Sequence, residues 1–350
     1  MSRARTRQPR ADPARRSPPR AAAISARASL PGARRARLPD FVAPQLATLV
    51  AAPPGGDAWL HEMKFDGYRI LARIDKGRAT LWSRNGRDWT ARFPGIAAAA
   101  ARLPVRQAFL DGEVAVLLPN GTTSFQTLQN ALSGTGRGEI VYFVFDLLHL
   151  DGQDLTGVVL ETRKSTLEKL TGTRPDGPIR YSTHVVGRGE EFFRQACRMS
   201  LEGVVSKRRD RPYEPGRGRS WLKVKCAHEQ EFVVGGFTEP KGTRAGLGAL
   251  LLGVHDKEDG LVYVGKVGTG FTETTARRLR ERLERLRVSK SPFRRPTPGA
   301  SDARWVKPEL VVEVKFTEWT TDGRLRHPAF KGLREDKAAA DVVRERPRDV

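Results

Sequence analysis

These 350 residues predict an α+β protein of two domains. Three observations lead there. The length suits two compact domains better than one or three. Strand-like and helix-like segments are mixed without the regular alternation that builds a parallel, doubly wound sheet. The texture also changes near His228, after which short β-like strips dominate.

The elements follow in chain order. Residues 1–38 hold eleven Arg and one Asp among Pro, Ala and Ser, with no apolar period, and read as a disordered basic arm. Order is expected to begin near Leu38. Tyr68–Ile74 and Ala79–Trp82 flank Asp75-Lys76-Gly77 and read as a hairpin. Phe109–Leu118 is a strand interrupted by Asp111 and Glu113, and the apolar run Ile140–Leu150 is a buried strand. Glu190–Ser200 reads as a helix, and Gly203–Ser206 and Trp221–Val224 as short strands. These make a first domain over 39–227. Beyond it come the strips Phe232–Phe237, Ala249–Val254 and Leu261–Val264. A helix Glu273–Arg287 follows, with Leu279, Leu283 and Leu286 on one face, then a Pro/Ser/Arg loop over 289–303 and a last strand Leu310–Thr317. Many short strands with one helix over 228–345 predict a small β-barrel of the oligonucleotide-binding (OB) type.

Charge narrows the partners. Lys plus Arg number 62 against 40 Asp plus Glu, a formal net charge of +22. That favours a polyanion, nucleic acid before an anionic membrane surface. The arm supplies +10, so the rest keeps +12 of the +22. With 39% hydrophobic residues the chain has material for buried cores. No apolar run approaches the ~20 residues of a membrane-spanning helix, and the Arg-rich start lacks the apolar core of a secretory signal. Cys197 and Cys226 are too few for a four-cysteine zinc site or a disulfide framework. The expected setting is the cytoplasm.

One constellation carries chemistry. Lys64-Phe65-Asp66-Gly67 places a lysine just before a glycine turn. Asp111 and Glu113 stand two apart in a strand and so share a face. Glu202 begins Glu202-Gly203-Val204-Val205-Ser206-Lys207, and Lys223 and Lys225 share a face of another strand. A nucleophilic amine, three acids and two spaced lysines beside β-strips suit binding a metal–triphosphate and attacking its α-phosphorus.

Lys64-x-Asp66-Gly67, Asp111-Gly112-Glu113, Phe143-x-Phe145-Asp146, Glu202-Gly203-Val204-Val205-x-Lys207 and Lys223-x-Lys225 occur in the order of the covalent nucleotidyltransferases. These are the ATP-dependent DNA ligases, RNA ligases and mRNA capping enzymes. Three longer strings resemble the ligase module of the bacterial end-joining ligase D proteins. They are Glu62-Met63-Lys64-Phe65-Asp66-Gly67-Tyr68-Arg69, Ser83-Arg84-Asn85-Gly86, and Arg326-His327-Pro328 through Arg334-x-Asp336-Lys337. The likeness covers about 40–340 and implies a nucleotidyltransferase (adenylation) domain of antiparallel sheets and helices followed by an OB-fold barrel.

The resemblance implies roles residue by residue. Lys64 is the nucleophile that forms lysyl-AMP, its neutral form favoured by neighbouring cations such as Lys223 or Lys225 and by a bound metal. The backbone at Glu62 and Met63 contacts adenine, and either Phe143 or Phe145 stacks on it. Arg69 and Arg84 hold the ribose and phosphate region, and Glu113 contacts the ribose. Glu202 binds the metal, Mg2+ or Mn2+, with Asp66 supporting the Lys64 loop and touching metal. Lys223 and Lys225 take the α-phosphate, with Arg217 nearby. Arg334 and Lys337, with Asp336, swing over ATP and orient the departing pyrophosphate, which implies a hinge near 225–229.

The implied activity is ATP-dependent sealing of 3′-OH/5′-phosphate nicks in double-stranded DNA, in repair or end joining. The expected molecule is a stand-alone two-domain ligase, monomeric, nucleoid-associated in a bacterium, with Ku or another end-joining protein as a possible recruiter. Two other readings compete: an RNA ligase or capping-type enzyme, and an inactive DNA-end-binding protein. The ligase-type string ending at Lys337 opposes the first, and intact Lys64, Glu113, Glu202, Lys223 and Lys225 oppose the second. Trp305, Trp319 and the Glu273–Arg287 helix read as core and solvated face rather than DNA contacts.

Overall fold

The computed structural model describes residues 30–348 except 135, 137, 173–175, 241–245, 257, 259, 299 and 301. The expected disordered arm over 1–38 therefore lies mostly outside the described residues, but its last part is corrected. Arg34–Arg35 is a strand paired antiparallel with Gln153–Asp154, and Leu30 packs on the first domain's core. Order begins before Leu38. The signal was missed because two arginines in an Ala/Pro context carry no alternation, and their partner lies over a hundred residues away.

Two sheets build the first half. A seven-stranded sheet runs Arg34–Arg35, Gln153–Asp154, Glu139–Leu150, Gln107–Leu117, Tyr68–Asp75, Arg78–Ser83, with Ile179–Tyr181 added parallel to Glu139–Leu150. The expected hairpin is its Tyr68–Asp75 and Arg78–Ser83 pair, turned at Lys76-Gly77 with both residues at positive φ. A five-stranded sheet runs His184–Val186, Trp59–Lys64, Gly203–Arg208, Gly216–Lys225, Gln45–Leu49. Its last pairing is parallel, so the sheets are antiparallel with two exceptions.

Hydrophobic burial positions the two sheets. Ile70, Ala72, Leu110, Val114, Tyr142 and Val144 close the core on one side of the larger sheet, with the helices Pro94–Ala100 and Leu160–Thr171 over it. Leu71, Phe109, Phe145, Leu148, Tyr213 and Trp221 fill the space between the sheets. Two further first-half helices are Phe125–Leu132 and Gly189–Arg198, the latter matching the expected Glu190–Ser200. Phe125–Leu132 starts at Ser124, whose hydroxyl accepts from Thr127 N as an N-cap.

The second half is a six-stranded antiparallel sheet, Gly260–Val267, Leu250–Asp256, His228–Thr238, Val311–Phe316, Ala329–Leu333, with Ala303–Trp305 on His228–Thr238. It wraps the largest core of the molecule, which the Glu273–Arg285 helix closes with Ala276, Leu279 and Leu283. This is the expected OB-type barrel with its single helix. Trp305 and Trp319 pack partly buried against that core.

Cys197 and Cys226, given no structural task by the sequence, are joined in a disulfide. The bridge ties the end of the Gly189–Arg198 helix to the two-residue link between Gly216–Lys225 and His228–Thr238. Their separation of 29 residues hid this, because a helix end and a strand end meet only after the sheet has formed. Among the described residues no helix is long and apolar enough to cross a membrane.

Candidate active site

Strand register assembles the first wall of the site. Gly203 pairs with Lys64 on one side and Lys225 on the other, and Val205 pairs with Glu62 and Lys223. Directly paired residues in neighbouring strands point to the same face. Glu62, Lys64, Lys223 and Lys225 therefore stand together above Val205 and Gly203. Gly203 sits at φ +155°, and a Cβ there would fall 2.0 Å from the Val224 carbonyl oxygen. Only glycine fits between the two lysine-bearing strands.

The turn after Lys64 leads to the second wall. A Cβ on Gly67 would meet the Val114 carbonyl oxygen at 2.2 Å, so the chain passes tight against the larger sheet. Asp66, nearly buried, accepts a hydrogen bond from Phe125 N at 3.1 Å, and its own N–H donates to Thr123 Oγ1 at 2.9 Å. That anchors the Lys64 loop to the Phe125–Leu132 helix. In the larger sheet Arg69 pairs with Glu113, and Glu113 with Phe143. Asp111 is fully buried and holds Arg69 through a two-bonded fork, with Tyr213 Oη donating to it at 2.7 Å.

One cavity gathers Glu62, Met63, Lys64, Asp66, Arg69, Arg84, Glu113, Phe145, Glu202, Arg217, Lys223, Lys225 and Arg334. Of the sequence-derived set, Asp111, Phe143 and Lys337 do not line it. The two phenylalanines are separated by a register shift, since Gly112 pairs with Val144 and Asp111 with Asp146, leaving Phe145 as the extra residue. Phe143 stacks on Phe65 with centroids 4.0 Å apart. Phe145 faces the cavity, with the Arg69 guanidinium 4.5 Å and the Lys207 ammonium 4.1 Å from its ring centre. Lys337 instead pairs with Glu231 at 3.0 Å.

The barrel forms the third wall. Glu231, Glu313, Arg334 and Asp336 line the same cavity as Lys64. Arg334 is held by Asp336 at 2.8 Å and Glu313 at 3.0 Å.

Lys64 departs from expectation. Its ammonium pairs with Glu202, not with a cation. Burial works against its charge, but Glu202, then Glu113 and Glu313, outweigh burial and hold the pKa above the ordinary lysine range. The expected lowering by Lys223 or Lys225 is thus corrected: those ammoniums are turned to Glu345, at 2.7 and 3.3 Å. Burial and the charge of Lys225 push Lys223 down to about 8. Burial likewise pushes Glu113 up to about 7 against the pull of Lys64 and Arg69.

Carboxylates of Glu202, Glu229 and Glu313 lie with ligand oxygens within 4.8 Å of one another. One oxygen each of Glu202 and Glu229 is buried without a hydrogen-bond partner among the described residues. All-oxygen donors with unpaired buried atoms fit a hard divalent cation.

Sequence reasoning missed the support under Glu62. Its buried carboxylate accepts from Lys164 Nζ at 2.7 Å, Lys207 Nζ at 2.9 Å and Ser182 Oγ at 3.2 Å. Lys207 stood inside a quoted motif without a role. Burial, against the pull of Glu62, lowers its pKa to about 8. Lys164, Glu345 and Glu229 gave no signal in the sequence.

Comparison with known proteins adds an independent line. Residues 44–225 match the family model described as ATP dependent DNA ligase domain, and 243–337 match ATP dependent DNA ligase C terminal region. The multifunctional non-homologous end joining protein LigD of Pseudomonas aeruginosa is 44% identical over 334 residues, covering 91% of this chain and 40% of that protein. The LigD of Mycobacterium tuberculosis strain H37Rv is 41% identical over 312 residues, covering 87% and 40%. The chain thus spans about 40% of the length of these curated relatives. The solved structure of mycobacterial DNA ligase D complexed with ATP and MES is 39% identical, covers 87% of this chain and 99% of its own, and superposes with a TM-score of 0.66.

Proposed function

The chain belongs to the ATP-dependent DNA ligase family, and from that premise we propose that it seals 3′-OH/5′-phosphate nicks in duplex DNA through lysyl-AMP and adenylated DNA. One observation carries the reading: Lys64, Glu202, Lys223, Lys225 and the barrel's Arg334 line a single cavity between the two halves.

In this reading ATP lies in that cavity with adenine against Phe145 and the backbone of Glu62 and Met63. The Glu62 side chain, committed to Lys164 and Lys207, keeps that backbone in place. Glu113 meets the ribose, and Arg69 and Arg84 flank the sugar and phosphate. Asp111 fixes Arg69 so that little freedom is lost on binding. Lys223 and Lys225, with Arg217 at the rim, take the α-phosphate.

Lys64 Nζ, whose side chain is 23% exposed, gives its ammonium proton to solvent and attacks the α-phosphorus as a neutral amine. The N–P bond forms, the bond to the bridging oxygen breaks, and pyrophosphate leaves toward Arg334 and Lys337. A divalent cation, Mg2+ or Mn2+, would be held at Glu202 with Glu229 and Glu313, and with Asp66 from the Lys64 loop, and would supply charge neutralisation for the triphosphate. Lysyl-AMP next passes AMP to the DNA 5′-phosphate, restoring Lys64. Finally the 3′-OH attacks that phosphorus and AMP departs. Opening at residues 225–229 would free the barrel to engage DNA after the first step. A role in end joining, with Ku or a similar end-binding protein as recruiter, rests on the LigD relatives.

The test is a nick-sealing assay with ATP, with NAD and with neither, alongside mass spectrometry. Sealing with ATP alone and a gain of about 329 Da, the increment for AMP on a lysine nucleophile, are expected. NAD-dependent sealing, or no covalent adduct, overturns the reading.

A further inference from the structure

The segment after Asp336 and Lys337 does something that neither the motifs nor the ligase reading assigns. It leaves the barrel at Val342, 2% exposed within the barrel core, where the Val342 carbonyl accepts from His255 N at 2.7 Å. It reaches the first half at Arg348, whose N–H donates to the Leu49 carbonyl at 2.9 Å beside a bridge to Val50. Between these anchors Gln230 clamps the backbone, donating to the Val343 carbonyl at 3.0 Å and accepting from Glu345 N at 3.0 Å. The Glu345 carboxylate is thereby aimed inward, 2.7 Å from Lys223 Nζ and 3.3 Å from Lys225 Nζ.

We propose that Glu345 is a built-in phosphate surrogate, a carboxylate that occupies the anion position of Lys223 and Lys225 and must be displaced by a nucleotide phosphate. The proposal rests on the reading of those lysines as α-phosphate ligands.

Glu345 does not itself line the cavity, but charge pairing singles it out among the acids near its two lysines. Glu202 is paired with Lys64, Glu313 with Arg334, and Glu231 with Lys337. Glu345 alone takes both motif lysines. A carboxylate and a phosphoryl group each present hard oxygen acceptors to an ammonium at similar distances. A phosphate entering beside a retained Glu345 would put two anions on one lysine pair in a desolvated site, where like charges repel strongly. Because the segment is fixed at both ends, displacement also loosens its hold across the two halves. Phosphate binding and release of this strap are then linked and reciprocal.

The experiment uses the full chain, as wild type, Glu345→Gln and Glu345→Asp. Two quantities are measured: the ATP concentration giving half-maximal lysyl-AMP formation, and the calorimetric affinity for AMP, which carries the α-phosphate. Glu345→Gln keeps an acceptor but removes the charge. It is expected to lower half-saturating ATP and the AMP Kd by roughly five-fold or more, while Glu345→Asp stays near wild type. Equal or weaker binding by Glu345→Gln overturns the proposal, because a carboxylate that merely orients the lysines gives that result. If Glu345→Gln does not fold, a chain ending at Arg344 is read the same way. If no protein forms lysyl-AMP, the ligase reading fails, and AMP affinity still decides the role of Glu345.

Discussion

At Lys64 an amine expected to be neutral is held as an ammonium by Glu202. The same ion pair must be broken before the amine can attack. Lys64→Ala should abolish self-adenylation and overall sealing, yet still join a nick that is already adenylated, because the last step needs no lysine nucleophile. Gel-resolved transfer from labelled ATP checks the first part and a synthetic adenylated nick the second. The two phenylalanines divide similarly. Phe145→Ala should raise half-saturating ATP by about ten-fold, the loss of one stacking contact of roughly 1–1.5 kcal/mol. Phe143→Ala should leave nucleotide affinity nearer wild type but cost about 3 kcal/mol of stability or more, as Phe-to-Ala changes in cores do. Chemical denaturation and ATP titration of both variants separate the two effects.

Elements act through what they carry to the cavity. The Ala329–Leu333 strand delivers Arg334, which also lies 4.9 Å over the Phe125 ring of the opposite half. Arg334→Ala should depress self-adenylation strongly while sealing of pre-adenylated DNA suffers less; equal losses would point to misfolding or a DNA contact. The strap at 342–348 makes a pH-dependent contribution. Burial would raise the Glu345 pKa, but Lys225 and Lys223 overcome it and bring it down from 4.5 to about 2. A carboxylate lowered on folding stabilises fully above its unfolded value and loses that contribution as pH falls through its folded one. The strap's ion pair therefore supports the fold above about pH 4.5 and is lost toward pH 2. Glu345→Gln should flatten this part of the curve of unfolding free energy against pH, and it should also lower the Lys223 pKa, whose charge Glu345 supports.

For the molecule as a whole, the charge of +22 is unevenly spread. Residues 1–29 carry eight Arg and one Asp, and basic segments bind phosphates through counterion release. Deleting 1–29 should leave Lys64 adenylation at wild-type level, weaken nick binding most at low salt, and flatten log affinity against log salt. Deleting 1–38 should in addition lower the melting temperature, since it removes the Arg34–Arg35 strand and the buried Leu38. Binding across a salt series and thermal melts of the three proteins decide both points. An identical salt slope for all three would exclude a DNA-binding role for the arm.

Sequence by itself determined the two-part organisation, the hairpin at Asp75-Lys76-Gly77, the barrel helix and the motif residues of the cavity. These are local patterns: alternation, helical spacing and short strings in which chemistry and turn geometry are written side by side. Pairing over long distances was decided only by tertiary structure. Strand register put Lys64 beside Glu202 rather than beside a cation, and one extra residue in a strand chose Phe145 over Phe143 for the cavity. The helix Leu160–Thr171 brought Lys164 under Glu62, and a segment over a hundred residues downstream laid Glu345 on Lys223 and Lys225. A buried charge takes its pKa and its task from whichever group the fold brings within a few ångströms, and no local pattern encodes that neighbour.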